Sequence, residues 1–166
     1  MATRSTIAVQ HADGRVSQIY VHWDGYLEHN GRILFEHYNT LDKVEKLVSL
    51  GDISVLAEHI DPFDDQPEHS FDHPQCDVTI YYGRDRGEQH CEPMTVIDYD
   101  TFIACKNSEE YDYYFNAGKW YLLANERKGG TKLREITAEM VGIKPAPKPS
   151  GLIPIQHYTA RFMMAN

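Results

Sequence analysis

Arg84 and Arg86, in "YYGRDRGEQHC" (Tyr81 to Cys91), are the one close pair of arginines in this chain, and Gly83 and Gly87 flank them. A guanidinium is a planar fork of donors that matches a carboxylate or a phosphate. If the pair converged, it could grip a phosphate while Tyr82 or Tyr81 stacked on a base. The plainer reading, which we prefer, is a β-turn whose arginines pair with Asp85, Glu88 or nearby acids, as surface ion pairs of little energetic weight. A second polar cluster is "HWDGYLEHNG", where His22, Asp24, Tyr26 and His29 could line a loop rim and hold a polar ligand. Its structural reading is a strand-to-helix corner: Trp23 ends a strand and packs under the helix, and Asp24-Gly25 and Asn30-Gly31 are turn chemistry. A third is "HSFDHPQC", where His69, His73 and Cys76, with His90 and Cys91, could surround a tetrahedral metal. Pro74 and the missing helical period argue against it, because HxxxH shares a face only on a helix. The chain has no GxSxG, P-loop or GxGxxG motif, so no catalytic residue is assigned and no cofactor is expected.

The elements that must position these residues follow from periodicity. "STIAVQHADGRVSQIYVHW" alternates as a hairpin, with Asp13-Gly14 suited to a tight primed turn. Ile33, Leu34 and Tyr38, then Leu41, Val44, Leu47 and Val48, recur at helical spacing, with Thr40 as N-cap and Gly51 as stop. Asp52 is expected to open a further short helical turn. Residues 61–77 have three prolines, many acids and no period, which predicts a long loop. Val78, Ile80 and Tyr82 alternate, "MTVIDY" is branched, and "YDYYFNAGKWYLLA" reads as a second hairpin turning at Asn116 to Gly118. "KGG" (Lys128 to Gly130) marks a turn before a weak last strand or short helix. The expected fold is α+β, an antiparallel sheet of about five or six strands built from hairpins, with helices packed on one face. Residues 1–142 form the domain, 143–151 a Pro-rich linker and 152–166 an apolar docking tail through which copies could associate.

The 166 residues suffice for one domain with its own core. Net charge is −9, and with Lys144, Lys148 and Arg161 set aside, residues 1–142 hold 13 bases against 25 acids, a balance of −12. Such a body repels nucleic acid, whose binding needs cationic contacts, and suits a protein partner with a basic surface. Three scattered cysteines without CxxC spacing fit a reducing compartment. No run is apolar enough for a membrane span and "MATRSTIAVQ" has no signal-peptide core, so a cytoplasmic location is expected.

"MATRSTIAV", "IYVHWDGYLEHNG", "LVSLGDIS" and "YYGRDRGE" together resemble a group of small bacteriophage proteins with a Thr-Arg-Ser start, a Trp-Asp-Gly-Tyr turn and a Tyr-Gly-Arg-Asp-Arg-Gly segment. The resemblance covers residues 1 to about 90 and is looser beyond Asp98. It implies a phage accessory protein of the sort that redirects or disarms its host, and the expected action is stoichiometric binding and blocking of a host factor in the host cytoplasm. Tyr114 and Trp120 of the aromatic hairpin and Phe162 and Met163 of the tail are the expected interface anchors. The alternative is a protein that sequesters or hydrolyses a nucleotide signal through Arg84, Arg86, Tyr82 and His22 or His29.

Overall fold

The computed structural model describes residues 1–126 and 130–146. Strands β1 (Ser5–Gln10) and β2 (Val16–Val21) pair antiparallel from Ser5↔Val21 to Gln10↔Val16. Their connection is a five-residue loop, not the two-residue primed turn: the His11 N–H donates to the Arg15 carbonyl at 2.8 Å and the Gly14 N–H to the His11 carbonyl at 3.0 Å. Of Asp13 and Gly14 only Gly14 has a positive φ, 90°, so one left-handed residue suffices where a type I′ turn needs two. The second hairpin does take the tight form. Strands β6 (Tyr111–Asn116) and β7 (Lys119–Glu126) close at Asn116↔Lys119 around Ala117 (φ 49°) and Gly118 (φ 78°).

The remaining strands are β3 (Ile53–Val55), β4 (Ile80–Tyr81), β5 (Met94–Val96) and β8 (Gly130–Glu135). The sheet runs β4-β3-β2-β1-β6-β7-β8, with β5 paired to β2. The α+β class stands, but among the described residues the sheet has eight strands and is mixed: β1 lies parallel to β6, and β2 meets β3 in parallel at Val21↔Ile53. Parallel neighbours are joined by long crossovers, so no local pattern announces them.

Helix α1 (Arg32–His37) follows a π-helical turn (Leu27–Gly31), and α2 is Leu41–Ser49. Leu34, Val44, Leu47 and Val48 pack on Ile7, Val9, Ile19, Val21, Tyr113 and Phe115. Each such side chain contributes about 1.5–3 kcal/mol when fully buried. Thr40 sits at the N-cap position of α2 without a side-chain hydrogen bond, and Gly51 (φ 85°) follows its end.

Helices also cover the opposite face, a correction to the one-sided expectation. There α4 (Tyr99–Cys105) sets Phe102 against Ala8, Val16, Tyr114 and Leu123. Its start is marked by the Asp98 carboxylate, which accepts the Thr101 N–H at 2.8 Å. Asp52 opens β3 instead of a helix. Its carboxylate accepts the Tyr20 N–H at 2.8 Å, on the edge of β2 between the stretches paired to β5 and β3. Tyr82–Arg86 forms a single helical turn, α3, not a β-turn, stopped by Gly87 (φ 71°). The core continues through Ile136 and Val141 to a half-buried Ile143. Most of the Pro-rich linker, the docking tail with Phe162 and Met163, and most of the "KGG" turn lie outside the described residues. Among the described residues, no helix is long and apolar enough to cross a membrane.

Candidate functional site

The "YGRDRG" segment and the acidic loop form one structural unit. Arginines two apart on a helical turn face opposite ways, and here Arg84 turns inward and Arg86 outward. Arg84 donates to both Asp85 oxygens (2.6 and 2.9 Å), the Ile60 carbonyl (2.6 Å) and the Thr79 carbonyl (2.7 Å), and lies 4.9 Å from the Tyr81 ring centre. Its donors serve the protein. Arg86 lies over the Phe71 ring at 4.9 Å and faces Glu88 at 3.7 Å. The two guanidiniums therefore do not converge as a phosphate fork.

Asp85 is the anchor of this hub, with its side chain 3 % exposed. Burial alone would raise its carboxyl, but the Arg84 guanidinium and the Tyr81 N–H (2.7 Å) outweigh it and hold the pKa below the usual range. His69, buried beside it, accepts the Gln75 N–H on Nδ1 at 3.0 Å. The proton of the neutral ring then belongs on Nε2, which faces Asp85 at 3.2 Å. Gln75 closes the loop: its side chain accepts the Phe63 N–H (2.7 Å) and donates to the Phe63 (3.0 Å) and Pro67 (2.8 Å) carbonyls. His73 and Cys76 are exposed, and Cys76 donates to Asp77. With Arg84 Nη2 at 3.2 Å from His69 Nε2, that ring faces a fixed cation, an unfavourable place for a metal. Among the described residues no group of His, Cys, Asp and Glu side chains is arranged to hold a metal ion.

The corner at His22–Gly31 is equally well tied. Gly25 presses on β1: a Cβ there would lie 2.8 Å from the Arg4 backbone and from Ser5 Cβ. Its N–H donates to the Thr3 carbonyl and its carbonyl accepts the Tyr113 hydroxyl, both at 2.8 Å. Buried Asn30 donates to the Trp23 carbonyl at 2.9 Å, and Asp24 takes a left-handed φ of 56°. Trp23 does not pack under the helix. It is 43 % exposed, with Tyr26 at 37 %. His22 bonds the Tyr20 hydroxyl at 2.7 Å and meets Trp23 edge-on, while His29 lies against Tyr26. The structure thus pairs Tyr26 with His29, and His22 with Tyr20 and Trp23, all apart from the Arg84 hub.

A cleft of about 550 Å³ opens beside this corner, floored by Ile33, Val55 and Ile80 and rimmed by Glu28, His29 and Asp77. The expected anchors Tyr114 and Trp120 are core residues, 1 % and 4 % exposed, and Trp120 Nε1 donates to the Tyr38 carbonyl at 2.7 Å. They are buried because each packs between a helix and the sheet.

Sequence reasoning also missed a relay in which His11 Nδ1 meets Glu45 (2.7 Å), His11 Nε2 meets Ser17 Oγ (2.7 Å) and Ser17 meets Thr95 (2.8 Å). The set has the donor order of a nucleophilic triad, but Ser17 is 6 % exposed, so the relay ties β2 to β5 and α2 instead of presenting a hydroxyl. No motif signalled it, because its members come from four separate elements. No family model, curated protein or solved structure matches the chain.

Proposed function

We propose that the protein acts stoichiometrically, as a phage accessory protein that binds a basic surface on a host protein in the host cytoplasm. The observation that carries this reading is the acidic loop held in one conformation by its buried hub. Asp64, Asp65, Glu68 and Asp72 are exposed, and among the described residues none has an ion pair. Gln75, and His69 and Arg84 through their shared partner Asp85, order the segment that displays them, so little entropy is lost when a partner docks. The charge is also polarised along the chain. Asp52 to Glu110 holds fifteen acids and three bases, whereas residues 111–146 hold four acids and six bases. Opposed potentials of this kind steer encounter and select partners. The nucleotide alternative needs Arg84 and Arg86 on one ligand, and Arg84 is already engaged.

The test is capture on the tagged protein from infected host cells, with mass spectrometry of proteins and small molecules. A basic host protein should be recovered with the native chain and lost with Asp64→Lys/Asp65→Lys/Glu68→Lys. Recovery of a nucleotide without any protein would overturn the reading.

A further inference from the structure

We infer that the corner and its cleft form the docking site for an extended partner segment in which arginine alternates with aliphatic residues. The inference rests on the binding role proposed above and names where and what the protein binds.

Two independent features coincide here. The first is exposed aromatic surface. Among the described residues the exposed large apolar side chains are Met1, Trp23, Tyr26, Leu50, Ile97 and Leu133, and the two aromatic ones stand three positions apart on one corner. Trp and Tyr are the side chains that most often anchor interfaces. Gly25, Asn30 and the Tyr113 hydroxyl hold the corner rigid, so the aromatic pair is presented without loss of loop freedom.

The second is the cleft. Tyr26 adjoins it through His29, their ring centres 5.8 Å apart, and the Trp23 N–H bonds Ser54, whose neighbour Val55 floors the cleft. The floor is aliphatic and the rim is acidic. Glu36 is paired with Arg32, and Glu58 faces His37 at 3.5 Å. Glu28 and Asp77 make no ion pair among the described residues, although Arg32 also lines the cleft. Arginine complements all three surfaces: its plane stacks on Tyr or Trp, its fork meets a carboxylate, and its stem lies on apolar ground. The aliphatic residues between arginines would meet Ile33, Val55 and Ile80.

The experiment measures fluorescence polarisation of a labelled peptide in which Arg alternates with Val, against the same peptide with every Arg replaced by neutral citrulline. The citrulline peptide should bind at least about tenfold more weakly. Trp23→Ala/Tyr26→Ala and Glu28→Gln/Asp77→Asn should each weaken the Arg peptide about tenfold. Because Trp120 is buried, iodide quenching in the native chain reports on Trp23, and the peptide should suppress it, a readout independent of any variant's folding. Unaltered quenching on binding would overturn the site. Binding lost in the Asp64→Lys/Asp65→Lys/Glu68→Lys chain but indifferent to the corner and rim variants would also remove this site and leave the acidic-loop reading standing. Absence of binding, or binding indifferent to the corner and rim variants, would remove this site, while recovery of a basic host protein from infected cells would still decide the reading above.

Discussion

The corner at His22–Gly31 and the hub around Arg84 draw on the same residue types, yet they end the opposite way round. In the hub, charged groups turn inward: Arg84, Asp85 and His69 consume one another's hydrogen-bonding capacity and leave the loop's acids outside. At the corner, backbone and Asn30 bonds do the fixing and the aromatic side chains stay in water. The difference teaches that a side chain's chemical promise does not decide its use. Arg84 belongs to the arginine pair that could have held an anion, yet the chain's own carbonyls and the Asp85 carboxylate take its donors. Trp23, which looks like core, is left out because the space beneath the helices is already filled by Tyr113, Phe115 and Trp120.

Breaking the hub should have the largest effect. Asp85→Ala strands a half-buried guanidinium, and removing one partner of a buried pair typically costs about 3–5 kcal/mol. Urea unfolding should show that loss, and limited proteolysis should cut within 61–77. An unchanged midpoint would mean the hub does not hold the loop. The same carboxyl links stability to pH. Its folded pKa lies below the ordinary 3.8, so its contribution is complete above that value and disappears as pH falls through the lower folded value. Acid unfolding of the Asp85→Ala chain should accordingly be flatter below pH 3.8 than that of the native chain.

Gly25→Ala is the matching blow to the corner. The new Cβ would meet the Arg4 backbone at 2.8 Å, and overpacking of this kind costs about 1–3 kcal/mol. The corner is therefore expected to be the more forgiving of the two regions, and a loss larger than that of Asp85→Ala would invert the comparison. Trp23→Ala should change stability by less than about 0.5 kcal/mol, as for surface sites outside the core. A large loss there would return Trp23 to a packing role.

Asp52→Asn should have the smallest effect, and of the opposite sign. Burial pushes the Asp52 carboxyl up, with Glu88 and Glu92 adding to the shift against the Tyr20 N–H. A carboxylate with a raised folded pKa weakens the fold as pH climbs through and above 3.8. The amide retains an acceptor for Tyr20 without the charge, so the variant should be slightly more stable at pH 7, an advantage that vanishes in acid. Equal stability at both pH values would show that solvent already screens the charge.

Local order was legible from the chain itself. Alternation in "STIAVQ" and "YDYYF", helical spacing from Leu41 to Val48, and the break in period over 61–77 each depend on neighbours in sequence, and the structure has strands, a helix and a loop there. Only tertiary structure decided the rest: the parallel union of β1 with β6, the helix on the far face, the inward turn of Arg84 and the exposure of Trp23. The physical reason is the same in each case. Backbone periodicity is set by steric and hydrogen-bonding preferences within a few residues, whereas the partner of a strand edge or a guanidinium is whichever unsatisfied group, tens of residues away, folding brings within reach.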